Sequence, residues 1–197
     1  MEPSIRSFIA IDLTATVRQQ IIELIEDLRK SDAQVAWVRV EGIHLTLKFL
    51  GNIAPQLIEQ IKPALMRAAC QTGPLRIEPA GCGAFPDSKA PRVIWVGLGG
   101  QTGPLAELAR RVENELIPLG CKPEERPFRP HLTVGRVKGR LKLHSLQELL
   151  VSHAGFAAEP FDAAEIVLYK SELRPDGARY SPLFTTPFSG NPATADE

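Results

Sequence analysis

Cysteine is scarce in this chain, and the three present (Cys70, Cys82 and Cys121) are odd in number, far apart and without a C-x-x-C pair. That excludes a disulfide framework and a thiolate zinc site, and it predicts reduced thiols in a cytoplasmic protein. Long hydrophobic runs are missing as well: no apolar stretch approaches the ~20 residues of a membrane span. The opening segment Arg6-Ser7-Phe8-Ile9-Ala10-Ile11-Asp12 is too short and too alternating for a signal peptide. Charge of one sign is absent, since 23 Lys plus Arg balance 23 Asp plus Glu. No global field therefore draws the protein to a long duplex or a membrane, and any nucleic-acid contact must be local. What remains is 197 residues, 44% hydrophobic and 23% charged, enough for one domain or two small lobes sharing a sheet.

Histidine is scarce too, with four in all, and two of them stand in one frame: His44-Leu45-Thr46-Leu47 and His131-Leu132-Thr133-Val134. On a strand, His and Thr two positions apart point to one face and the intervening apolar residues to the other. With nine Thr in the chain, the doubled His-x-Thr spacing has a chance probability on the order of one in a hundred. Two such strands facing each other supply two proton-transfer groups and two hydroxyl donors around one anion. Metal-free cleavage of a phosphodiester requires that set: a base for the nucleophile, an acid for the leaving group, and donors for the phosphoryl oxygens. Imidazole titrates near pH 6.5, so one His can be neutral while its partner is protonated.

Periodicity predicts the elements around these frames. Phe8 to Leu13 reads as a strand. Thr16 and Gln19 form a capping box ahead of a helix carrying Val17, Ile21, Leu24, Ile25 and Leu28. Val35 to Val40 and His44 to Leu50 read as strands, the second stopped by Gly51-Asn52. Helices are predicted after Pro55, near Pro104 and at Ser145, and strands at Leu75 to Glu78, Arg92 to Leu98, Glu165 to Lys170 and Leu183 to Phe188. The order strand, helix, H-L-T strand, helix occurs twice, with the motif histidines 87 residues apart (131 − 44). It predicts an α+β fold: a bilobal, pseudo-two-fold arrangement with antiparallel sheets facing a central cleft and helices outside. One domain is expected over residues 1–189, with 190–197 a loose tail.

The chain resembles the two-histidine (2H) phosphoesterases, and among them the bacterial and archaeal RNA 2′,3′-cyclic phosphodiesterases, also called 2′-5′ RNA ligases. The likeness runs through Arg6 to Ile11, Trp37-Val38, His44 to Gly51, Pro91 to Trp95, Phe128 to Arg136, Ser171 to Leu173 and Gly177 to Tyr180. It implies opening of a terminal RNA 2′,3′-cyclic phosphate to a 2′-phosphate, with no metal and no cofactor. In the reverse sense it implies joining to a 5′-hydroxyl through a 2′-5′ linkage. His44 is then the proton donor to the departing 3′-oxygen and His131 the proton acceptor from water, with Thr46 and Thr133 on the non-bridging oxygens. The division of labour between the histidines comes from the resemblance alone, because the two frames are too alike.

Phe49 and Arg136 share one offset, five past each histidine, and form a candidate base-stacking pair for a terminal base. An odd offset on a regular strand points to the core instead, so a bulge is needed to bring them to the site. His144 and His153 lack a Thr partner and read as surface residues. Gly97 to Gly103 misses the G-x-G-x-x-G register and reads as a flexible turn, and Trp37 and Trp95 read as core. The expected partner is an RNA end or nucleotide bearing a cyclic phosphate, met by a monomer without membrane contact. The rival readings are 2′-5′ ligation, hydrolysis of a small cyclic or 2′-5′-linked nucleotide, and a binding module without turnover.

Overall fold

The computed structural model describes residues 4–174 and 177–191. Helices form where apolar residues recur at helical spacing. In α1 (Ala15–Arg29) the buried stripe is Val17, Ile21, Leu24, Ile25 and Leu28, and the Thr14 hydroxyl caps it by accepting from the Val17 N–H. The cap is thus Thr14 and not Thr16. Helices α2 (Leu57–Ala69) and α3 (Thr102–Leu116) bury Ile61, Leu65 and Ala68, and Leu105, Leu108, Val112 and Leu116. A shorter α4 (Leu143–Ser152) buries Leu146 and Leu150.

The strands are β1 (Ile5–Ile11), β2 (Val35–Trp37), β3 (Leu45–Ile53), β4 (Leu75–Phe85), β5 (Val93–Gly100), β6 (His131–Val137), β7 (Phe161–Ala163), β8 (Glu165–Arg174) and β9 (Gly177–Pro187). Among the described residues all nine join one antiparallel sheet in the order β7-β4-β5-β6-β3-β1-β8-β9, with β2 on β6. Several run past their expected ends: β3 continues through Gly51-Asn52, β4 through the Gly-rich stretch to Phe85, and β5 to Gly100. The expected turn at Gly97 to Gly103 therefore shrinks to Gln101, between β5 and α3. At the far end the Gly190 N–H donates to Thr72 O, and 192–197 of the expected tail lie outside the described residues.

Two lobes meet where β3 and β6 share a single register pair, Leu45 opposite Leu132. Each half of the chain lends a late strand to the other lobe. Strand β4 of the first half pairs with β5, and β8 of the second half pairs with β1. One face of the sheet packs on the helices through a continuous core that contains Ile9, Ile11, Leu45, Leu47, Leu132 and Val134. The motif histidines and threonines alternate with these buried residues and lie on the other face.

Candidate active site

The Leu45–Leu132 pair is the pivot of the site. One step along the antiparallel ladder in each direction sets His44 opposite Thr133 and Thr46 opposite His131, all four on the face away from the core. The two histidines occupy diagonal corners, a relation that places backbone positions about 7–8 Å apart. One phosphoryl group between the imidazoles then has a proton carrier on each of two opposite sides and a hydroxyl at each remaining corner.

Each ring is held from behind by the carbonyl two residues earlier. The His131 Nδ1–H donates to Arg129 O at 2.7 Å, which leaves Nε2 without that proton and able to accept one. The Gly42 carbonyl plays the same part for His44, accepting from its ring. The surroundings otherwise differ. Phe8 stacks on the His44 ring at 4.5 Å, Tyr180 meets it edge-on at 5.3 Å, and Tyr169 packs behind Phe8 at 5.3 Å. Burial in this aromatic wall pushes the His44 pKa down to about 4, against the upward pull of the Asp12 carboxylate and the Gly42 carbonyl. His44 is therefore neutral at pH 7 in the free protein. Near His131 stand Phe85, edge-on at 5.2 Å, and Trp95 beyond it.

A polar network fixes the segment that presents His44. The Arg18 guanidinium donates to Val40 O at 2.9 Å and Ile43 O at 2.7 Å, and pairs with Asp12 at 3.2 Å. Tyr169 donates its hydroxyl proton to the other Asp12 oxygen at 2.6 Å, and both burial and that bond push its pKa up. Sequence reasoning missed Asp12, Arg18 and Tyr169 as site-supporting residues because they converge from β1, α1 and β8. The one local signal is that Asp12 follows β1 at its pivot end.

Phe49 and Arg136 reach the site face because both motif strands carry a bulge just past their threonine. Ala10 pairs with Thr46 and Ile9 with Lys48, which leaves Leu47 unopposed; Trp95 pairs with Thr133 and Ile94 with Gly135, which leaves Val134 unopposed. The extra residue inverts the alternation. Phe49 now pairs with Phe8, is 56% exposed, and lies 6.2 Å from the Phe8 ring. Arg136 is exposed, and its charge lowers the otherwise raised pKa of Tyr180, as Arg6 also does. The core placement of Phe49 is thereby ruled out.

Trp95 is not a core residue. Cross-strand partners share a face, so pairing with Thr133 turns it to the site side, where it lines a cavity of about 550 Å³ with Phe85, Pro130 and His131. Trp37 does pack against the core. His144 is exposed beside Glu148, whereas His153 is half-buried, bonded to Leu149 O at 2.9 Å and Asp27 at 3.4 Å, so only His144 matches the surface expectation. Among the described residues no three His, Cys, Asp or Glu side chains gather as a metal-binding set, and no helix is long and apolar enough to cross a membrane.

A bilobal sheet that sets two H-x-T strands side by side on its open face defines a two-histidine phosphoesterase. More particularly, the model of the 2′-5′ RNA ligase superfamily matches residues 17–175, and the chain belongs to that superfamily. It is 32% identical over 179 residues to the RNA 2′,3′-cyclic phosphodiesterase of Methanothermobacter thermautotrophicus, covering 91% of this chain and 96% of the relative. Against the RNA 2′,3′-cyclic phosphodiesterase of Thermotoga maritima the identity is 35% over 185 residues, with 94% and 96% covered. The crystal structure of the Thermus thermophilus protein TT0787 superposes with a TM-score of 0.78 at 25% identity, covering 94% of this chain and 98% of that one.

Proposed function

We propose that this chain hydrolyses the terminal 2′,3′-cyclic phosphodiester of RNA to a 2′-phosphomonoester by histidine acid–base catalysis without a metal. The reading is supported above all by the Leu45–Leu132 pair, which groups both His-x-Thr frames around one point. The names of relatives matched along nearly the whole chain support the substrate. His131, with Nδ1–H tied to a carbonyl, takes the proton of the attacking water through Nε2. Thr46 and Thr133 donate to the non-bridging oxygens, and His44 protonates the departing 3′-oxygen. One chain supplies both frames, so the working unit is a monomer, and its three free thiols suit the reducing cytoplasm. The test is incubation of an RNA oligomer ending in a 2′,3′-cyclic phosphate with the protein in excess chelator, with the phosphate position of the product assigned. A 2′-phosphate formed at undiminished rate is expected. Recovery of activity only on adding a divalent metal would overturn the mechanism.

The donor role of His44 carries a pH signature. A group with pKa about 4 in the free protein becomes a proton donor only when an anion beside it opposes the desolvation. The bound phosphate does so, and raises the pKa in the complex above its free value. Binding then takes up a proton. The His44 contribution to affinity for a nucleoside 2′-phosphate is absent above the complexed pKa, grows as pH falls below it, and levels off below about 4. Ring-proton NMR of His44 with and without that product should show the upward move. A midpoint unmoved by the ligand would exchange the roles of the two histidines.

Phe49 and Arg136 sandwich the terminal base in this reading, from strands of opposite lobes. Phe49→Ala and Arg136→Ala are expected to lower kcat/KM for a cyclic-phosphate RNA end by ~10–100-fold, the kinetic equivalent of ~1–3 kcal/mol of stacking per base. A cyclic phosphate lacking a base should be little affected, and the thermal midpoint should hold because both side chains are exposed. Equal losses on the two substrates would leave the base without this platform.

A further inference from the structure

Arg18, Arg67, Arg76 and Arg111 each pair with a carboxylate, whereas Arg6 and Arg136 pair with none among the described residues. Both are exposed, and both stand near one phenol. Burial raises the Tyr180 pKa, and the charges of the two arginines oppose that rise. The Tyr180 ring in turn meets His44 edge-on at 5.3 Å. Two cations and a hydroxyl therefore gather beside the histidine that faces the leaving group.

Strand pairing explains how Arg6 comes there. Strand β1 is continuous where β3 bulges against it, so Arg6 shares the face of Phe8, which stacks on His44. On the next strand Tyr169 pairs with Phe8, and Ser171, two residues on, pairs with Tyr180. Arg6, Ser171 and Tyr180 thus form one row across β1, β8 and β9, adjacent to the row of Phe8 and Tyr169. A terminal base held by Phe49 and Arg136 leaves Arg6 without a task. It also leaves the N–H edge of Arg136 open, since a guanidinium stacks through its plane and donates through its rim.

The covalent order of a nucleotide says what lies next to that base. In the proposed hydrolysis O3′ departs toward His44. Its carbon C3′ is bonded to C4′, which carries C5′ and O5′, whereas C2′ leads to C1′ and the base. The O5′ end of the nucleoside therefore extends on the His44 side. In a strand, O5′ carries the phosphodiester of the preceding residue, an anion that must be met by local charge because the chain as a whole has none to spare.

We propose that Arg6, with the Tyr180 hydroxyl and the N–H edge of Arg136, forms a subsite for a phosphate on O5′ of the terminal nucleoside, so that the enzyme selects a strand end over a nucleoside cyclic phosphate. The inference rests on His44 facing the departing O3′ in the hydrolysis proposed above. The guanidinium fork of Arg6 matches two phosphate oxygens, and Tyr180 donates to one. Such a contact reads no sequence; it fixes the ribose, and with it the line from O3′ to His44. On the Tyr180 ring also borders a groove of about 300 Å³, where Arg39 and Arg179 stand against the single carboxylate of Glu41. It offers the strand beyond that phosphate a path of the same sign.

The test compares kcat/KM for adenosine 2′,3′-cyclic phosphate, the same compound with a 5′-phosphate, the dinucleotide ApA ending in a cyclic phosphate, and that dinucleotide with a neutral methylphosphonate linkage. The wild type should prefer the charged dinucleotide to its neutral twin by roughly tenfold or more. Arg6→Gln should shrink this ratio to about twofold or less, with Arg6→Lys between the two. A ratio measured on one preparation does not depend on the fraction folded, so a less stable variant still reports. A gain from the 5′-phosphate equal to that of the charged dinucleotide assigns the subsite to any O5′ phosphate, and a gain confined to the dinucleotide assigns it to the internucleotide diester. Equal use of charged and neutral dinucleotides by the wild type overturns the subsite, as does a ratio that survives Arg6→Gln. Binding of adenosine 2′,5′-bisphosphate against adenosine 2′-phosphate makes the same comparison without turnover, and the bisphosphate should bind roughly tenfold tighter to the wild type only. If the wild type opens none of the cyclic phosphates, the hydrolase reading falls, and equal affinities for the two products would then overturn the subsite separately.

Discussion

Replacing His44 or His131 by Ala is expected to lower kcat/KM for a cyclic-phosphate RNA by ~10²–10⁴-fold each, the usual worth of a positioned acid or base. Both imidazoles lie on the open face of the sheet, and the core beneath them is built from Leu45, Leu47, Leu132 and Val134, which the substitutions leave in place. Folding should therefore survive, and a thermal midpoint close to wild type checks it. The double variant should lose less than the product of the single losses, because an acid without its base has no concerted displacement to assist. His144→Ala and His153→Ala are the internal controls. His144 pairs with Glu148 at the surface, and His153 ties α4 to Asp27 of α1, so loss of His153 should show in stability and not in turnover. Comparable losses of turnover at all four histidines would remove the case for the pair.

The parts of this site that were legible in the sequence are those that depend on the pleat of one strand. The two H-x-T frames alternate with buried residues as a period of two requires, and the helical stripes from Val17 to Leu28 and from Leu105 to Leu116 follow a period of 3.6. What was illegible depends on the neighbour. The bulges at Leu47 and Val134 exist because β1 and β5 pair on both sides of them in shifted register. No feature of the motif strands alone sets that shift, so Phe49 and Arg136 could not be placed from sequence. Trp95 looked like core in an apolar run, and it is the pairing with Thr133 that turns it outward. The exchange of β4 and β8 between lobes is equally non-local. Strand β4 carries apolar alternation and β8 a short buried run from Ile166 to Leu168, and neither pattern says which lobe its strand joins.

The bulge at Leu47 has a second effect, on Lys48. With the alternation inverted, its side chain is turned into the interior, where it is only 2% exposed although it sits in the motif strand. There the ammonium pairs with Glu113 of α3 and donates to Lys122 O at 2.8 Å. The other Glu113 oxygen accepts the Glu124 N–H at 2.8 Å. One ion pair thus fastens β3 to α3 and to the segment that leads into His131, tying together the elements that carry the two histidines. Lys48→Ala is expected to cost ~3–5 kcal/mol, because it strands a mostly buried carboxylate and a carbonyl without a donor. Against the ~5–15 kcal/mol of a typical domain that is roughly a fifth of the total or more. Replacing both partners, as in Lys48→Met with Glu113→Leu, should recover much of the loss, since an apolar pair of similar volume removes the uncompensated charge as well. Urea unfolding of the three proteins measures this directly, and a Lys48→Ala cost below ~1 kcal/mol would place the pair among weak surface contacts. Turnover per folded molecule should stay near wild type in both variants, because Lys48 points away from the face that carries His44 and Thr46. A fall in turnover without a fall in stability would instead mean that the ion pair sets the position of His131, through the segment that Glu113 holds.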